Sequence, residues 1–223
     1  MKYLIILILL VSMTCKQDKE KEDNHQTNID QTSNEKNQDV LKNFPKKYQS
    51  QIIEKNKLWM GSWKSIDSSF DLKDFNEEFK KKIKIKWGVF DKNEFSSIDS
   101  LFIISSFNWI VDLYSYNTVI EKRDGKMFLS FGVDQNIYIY DSNRITSLVS
   151  LGSIETIEDA IWLNEGKKLL LLGYLENNEG TSNPILWLFD FESMEQIRYV
   201  NSSVSMDSKT NYLKYKYPNL IIE

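Results

Sequence analysis

The sequence predicts a mainly β domain of antiparallel hairpins over residues 41–223, entered through one or two short helices. Three observations carry this. From about residue 100 the chain is a series of short runs rich in β-branched and aromatic residues. Turn chemistry separates them, at Arg123-Asp124-Gly125, Asp141-Ser142-Asn143 and Asn164-Glu165-Gly166. Apolar residues recur near helical spacing before residue 80, and the period then changes.

Taken in order, Asn43 and Pro45 mark a helix start, because proline has no amide hydrogen to waste in the first turn. Tyr48, Ile52 and Trp59 then recur near helical spacing and predict one amphipathic helix. Leu72, Phe75 and Phe79, behind Asp71 as N-cap, predict a second. Ile83-Lys84-Ile85-Lys86-Trp87 alternates strictly, the pattern of a half-buried strand. Strands are then expected at residues 101–105, 109–114, 118–122, 126–131, 136–140 and 146–151. Four more follow at residues 160–163, 169–174, 185–189 and 197–200. Leu169-Leu170-Leu171-Leu172 and Ile185-Leu186-Trp187-Leu188-Phe189 do not alternate, so those strands should be covered on both faces.

Two stretches resemble one another. Asn136-Ile137-Tyr138-Ile139-Tyr140-Asp141, followed by Ser142-Asn143-Arg144, parallels Pro184-Ile185-Leu186-Trp187-Leu188-Phe189-Asp190, followed by Phe191-Glu192-Ser193. The two aspartates lie 49 positions apart, within the period of one propeller blade. With the hairpin pattern from Asp159 to Leu169, residues 126–201 resemble β-propeller blades, which implies a propeller-like array. Gly61-Ser62-Trp63 is similar to the Gly-x-Trp of the first strand in lipocalin-like barrels, which implies a barrel instead. A β-sandwich is the third architecture that the strand pattern fits.

The N-terminus carries a different signal. Met1-Lys2 and the apolar run over residues 3–11 form the n- and h-regions of a secretory signal peptide, too short for the roughly 20 residues a membrane span needs. Ser12-Met13-Thr14 and then Cys15 follow. This arrangement resembles a bacterial lipoprotein precursor of the looser Bacteroidota type; the wider family favours Leu and Gly, Ala or Ser where this chain has Ser12 and Thr14. The resemblance implies cleavage after residue 14, lipid on Cys15 and a place in the cell envelope, on the outer membrane.

Residues 16–40 contain no aromatic residue and only Ile29 and Val40 as apolar members, so they read as a disordered tether. As a flexible coil it would span on the order of 28 Å. The run Lys16-Gln17-Asp18-Lys19-Glu20-Lys21-Glu22-Asp23 also resembles an acidic surface-export signal.

The formal charge of the chain is −4. Lys2 adds one positive charge, and the four lysines and seven acids of the tether a net −3, leaving −2 for residues 41–223. The only arginines are Arg123, Arg144 and Arg198, and forked recognition of phosphates and guanine edges relies on arginine, so nucleic acid is not an expected partner. The cluster Lys80-Lys81-Lys82 with Lys84 and Lys86 reads as a solvated face.

One Cys and one His, Cys15 and His25, both fall before the domain. Residues 41–223 therefore have no Ser-His-Asp triad, Cys-His pair, His or Cys zinc site, or disulfide. No phosphate-binding glycine loop, Gly-x-Ser-x-Gly or Asp-x-Asp-x-Asp loop occurs, and the Ser-x-x-Lys spacing of Ser33 and Lys36 lies in the tether. No catalytic residue, metal ligand or cofactor is assigned. Glu155, Glu158 and Asp159, and the loop Glu176-Asn177-Asn178-Glu179-Gly180, are expected in structural or solvated roles, with a hard cation as the alternative. Trp109, Tyr114, Tyr116, Tyr138 and Tyr140 are expected to pack, with sugar stacking as the alternative. Two function classes survive: a non-catalytic binding module facing a glycan or envelope protein, and a carboxylate-dependent glycan hydrolase.

Overall fold

A computed structural model describes residues 42–89, 103–106, 109–116, 118–206 and 212–222. The expected signal peptide and tether, with Cys15 and His25, lie outside the described residues. Two helices come first, α1 (Lys46–Lys55) and α2 (Lys57–Ile66). The helix expected around Tyr48, Ile52 and Trp59 is thus a broken pair, with Asn56 at the break. Asn56 leaves helical backbone and its side chain accepts from the Trp59 amide at 3.1 Å, capping α2.

The second expected helix does not form. Asp71 caps as expected, accepting from Lys73 N at 3.0 Å, but only one turn of 3₁₀ helix, Leu72–Asp74, follows. The chain then enters β1 (Asn76–Lys82), which pairs antiparallel with β12 (Glu195–Val200). A ready strand partner outweighs spacing that a single turn followed by a strand satisfies equally well. Residues 83–87 also depart from expectation: burial alternates along them, yet they lie outside the strands.

The remaining strands are β2 (Gly88–Val89), β3 (Ile103–Ser105), β4 (Ile110–Asp112), β5 (Thr118–Arg123), β6 (Lys126–Phe131), β7 (Gln135–Tyr140) and β8 (Arg144–Leu151). After them come β9 (Glu155–Leu163), β10 (Lys168–Glu176), β11 (Ser182–Asp190) and, beyond β12, the short helix α3 (Tyr212–Lys216) and β13 (Leu220–Ile222). Leu101 and Phe102, where the first strand after residue 100 was expected to start, lie outside the described residues.

The strands form three sheets, with orders β1-β12-β11-β10-β9, β2-β8-β7-β4-β3 and β13-β6-β5. All pairs are antiparallel except β13 with β6, which is parallel. Among the described residues the sheets close into neither a barrel nor a propeller. The barrel expectation fails at its anchor, since Gly61-Ser62-Trp63 lies inside α2, where Trp63 is fully buried in the helical layer. The two five-stranded sheets nevertheless share one order: two hairpins side by side, flanked by a strand from earlier in the chain. The paired motifs at Asp141 and Asp190 occupy matching turns in them. Asp141 accepts from Asn143 N and Arg144 N, and Asp190 from Glu192 N and Ser193 N. The repeat in sequence is therefore a shared turn device, in which the aspartate side chain satisfies the amides that the turn leaves open.

The core has two layers, one on each side of the first sheet. On one face, Tyr48, Ile52, Trp59, Trp63, Phe70 and Phe75 pack against Leu170, Leu172, Leu186 and Leu188. On the other, Leu169, Leu171, Ile185, Trp187 and Phe189 meet Val111, Ile137 and Ile139 of the second sheet and Leu129 of the third. This burial on both faces is why β10 and β11 carry unbroken apolar runs. The Arg123-Asp124-Gly125 hairpin also forms, with Asp124 and Gly125 at φ 52° and 75°. That is the left-handed geometry of a two-residue turn.

Candidate functional site

The site grows out of an irregularity in β9. Leu172 pairs with Asp159 but Gly173 pairs with Ile157, so Glu158 is an extra residue, a β-bulge. The slip changes which face each side chain takes. Asp159, Ile161 and Leu163 point toward the helices, while Ile157 joins the core between the sheets. Glu158 and Asp159 consequently reach the helical side together, although they are consecutive. Gly173 opposite is required by space: a Cβ there would stand 1.9 Å from the Thr156 carbonyl oxygen and 2.9 Å from Ile157 Cα.

Asp159 is held by three side chains. Asn56 Nδ2 donates to its Oδ2 at 2.7 Å, Lys216 Nζ to its Oδ1 at 2.7 Å, and the Tyr212 hydroxyl to Oδ2. Glu158 accepts from Trp59 Nε1 at 3.0 Å. Burial pushes the Glu158 carboxyl up to about 8; the neighbouring Asp159 charge adds to this, and Trp59 and Lys216 oppose it. Burial thus keeps most of the Glu158 carboxyl protonated at neutral pH. Burial raises the Tyr212, Tyr114 and Tyr174 hydroxyls as well.

Beside this cluster lies a cavity of about 670 Å³. Tyr114, Glu158 and Tyr174 form its buried interior, Tyr116 and Glu155 its sides, and Val133, Asp134, Ser153 and Lys214 its exposed rim. Leu213 and Ile222 line it from the C-terminal segment. The wall is fixed by Gln135, whose side chain accepts from Ile157 N at 2.8 Å and donates to Ile157 O at 2.9 Å. Tyr114 also donates to Ile157 O, at 2.5 Å. Glu155 accepts from Trp187 Nε1 and from Arg198 Nη1, the latter at 3.2 Å.

The structure sorts the residues singled out in the sequence. Tyr114 and Tyr116 meet at the cavity, and Tyr138 lies 6.4 Å from Tyr116 between ring centres. Tyr140 is buried and donates to Asp112. Trp109 belongs to another cluster, stacked on Phe191 at 5.0 Å and tilted against Trp87 at 5.3 Å. Glu155, Glu158 and Asp159 do not form one carboxylate set: Glu155 pairs with Arg198, and the other two bond to the helices. In the loop after β10, Asn177 accepts from Glu179 N and Thr181 N, the bonds of an ordinary turn. Among the described residues no three His, Cys, Asp or Glu side chains gather as metal ligands. Lys80 and Lys82 pair with Glu195 at 2.7 and 3.0 Å, and Lys81 lies over the Phe79 ring. Tyr174, Gln135 and Asp134 at the cavity went unmarked in the sequence; the one hint was a glycine, Gly173, within an apolar strand.

No protein-family model, no curated protein and no solved structure matches the chain.

Proposed function

We propose that the chain is an envelope lipoprotein, anchored through Cys15, whose β domain is a non-catalytic module binding a small glycan. One observation carries the binding reading: a cavity of about 670 Å³ with Tyr114, Tyr116 and Tyr174 around hydrogen-bonding groups. Its volume falls within the range of small-ligand sites. Tyrosine rings suit the apolar faces of sugars. Two of the three acids at the cavity are tied into the scaffold, Glu155 by Arg198 and Trp187 and Glu158 by Trp59, which supports positioning over chemistry; the third, Asp134, stands on the exposed rim. The matching strand orders of the two larger sheets support reading the hairpins as a propeller-like array.

Glu158 also gives the hydrolase reading its one specific support, because a carboxylic acid kept protonated near neutrality is what a glycosidase acid must be. A panel of envelope glycans, tested by calorimetry and product analysis, separates the two. Binding without bond cleavage is expected, weakened roughly fivefold to tenfold by Tyr116→Ala, as loss of a stacking ring removes about 1–1.5 kcal/mol. Cleavage abolished by Glu158→Gln would replace the binding reading. The anchor is checked separately by fractionating cells: Cys15→Ala should move the protein from membranes to the soluble fraction.

A further inference from the structure

The helical layer has a second face. α1 and α2 bury Tyr48, Ile52, Trp59 and Trp63 against the first sheet. On their exposed surface stand Lys46, Lys47, Lys57 and Lys64, with Glu54 as the one acid within the two helices. Among the described residues none of these four lysines forms an ion pair. Between them Ile53 and Leu58 are 53% and 43% exposed. Both helices begin with lysine and have no acid in the first turn, against the preference of a helix N-terminus for negative charge. Asp67 and Asp71, which follow α2, are engaged with Ser69 and Lys73, and Asp71 also feels the Lys64 charge.

We propose that this face docks on a membrane surface rich in anionic phospholipid headgroups. Lysines attract the phosphates, and exposed aliphatic side chains between them enter the headgroup boundary. Charge complementarity and position both argue for this occupant: α1 begins at Lys46, shortly after the tether, so a lipid on Cys15 would keep the face at high effective concentration over the bilayer. The proposal rests on the anchored reading for its setting, but its chemistry is independent of the lipid.

The test uses the chain from residue 15 onward with Cys15→Ala, floated with phosphatidylcholine vesicles with and without phosphatidylglycerol. Binding only to the phosphatidylglycerol vesicles, lost in high salt, is expected. Each surface lysine is worth about fivefold in partitioning, so Lys57→Gln with Lys64→Gln should lower binding roughly 25-fold. Ile53→Ser with Leu58→Ser should lower it several-fold, with the salt dependence retained. Equal binding to both vesicles, binding to neither, or folded variants that bind like the parent would overturn the proposal. If Cys15 of the expressed protein carries no lipid while the Cys15→Ala chain still floats with phosphatidylglycerol, the anchor fails and the docking face stands.

Discussion

Gly173→Ala should lower the midpoint of thermal unfolding by about 10 °C or more. The new carbon would meet backbone, the Thr156 carbonyl oxygen at 1.9 Å and Ile157 Cα at 2.9 Å, so no side-chain rotation relieves it. Overpacking costs about 1–3 kcal/mol where neighbours can yield, and this site lies at or above the top of that range. For a domain of this size about 1 kcal/mol moves the midpoint by roughly 2–4 °C. Circular dichroism melts decide it. A midpoint within about 3 °C of the parent would mean that β9 and β10 part without cost, and that the bulge is not held by its neighbour.

The second large effect is a dependence of stability on pH. The Glu158 carboxyl sits at about 8 in the folded protein against an ordinary 4.5, so between these values the folded state holds a proton that the unfolded state has released. Its contribution is complete below about pH 4.5 and is lost as the pH rises through 8. Across this window the loss is on the order of a few kcal/mol. Denaturant titrations of the parent should show stability falling over that interval. Glu158→Gln keeps the shape and the acceptor for Trp59 but has no proton to lose, so its stability should be flatter over the same interval. A slope as steep in Glu158→Gln as in the parent would assign the effect to another group.

How much of this was legible in the sequence depends on how local the cause is. The bounds of β6 and the turn at Asp124-Gly125 follow from adjacent residues and match the expectation closely. Burial of β10 and β11 on both faces is written in their unbroken apolar runs. Leu72, Phe75 and Phe79 misled because their spacing suits a helix as well as a turn and a strand, and the deciding partner, β12, comes more than a hundred residues later. Alternation over residues 83–87 reports burial faithfully but says nothing of whether a neighbouring strand is in reach. The cavity was the least legible part. Its walls come from the segment after β4, from β5 to β7, from β9 and β10, and from the C-terminal segment, and the bulge adds Glu158 to them.

By taking up both the amide and the carbonyl of Ile157, the Gln135 side chain occupies the place that a neighbouring strand would fill. Lys55 Nζ covers the Trp162 carbonyl on the same strand at 3.0 Å. At the opposite border of the sheet, β1 presents Lys80, Lys81 and Lys82. Among the described residues, both borders of the first sheet therefore carry side chains that hinder a second copy from adding its strands there.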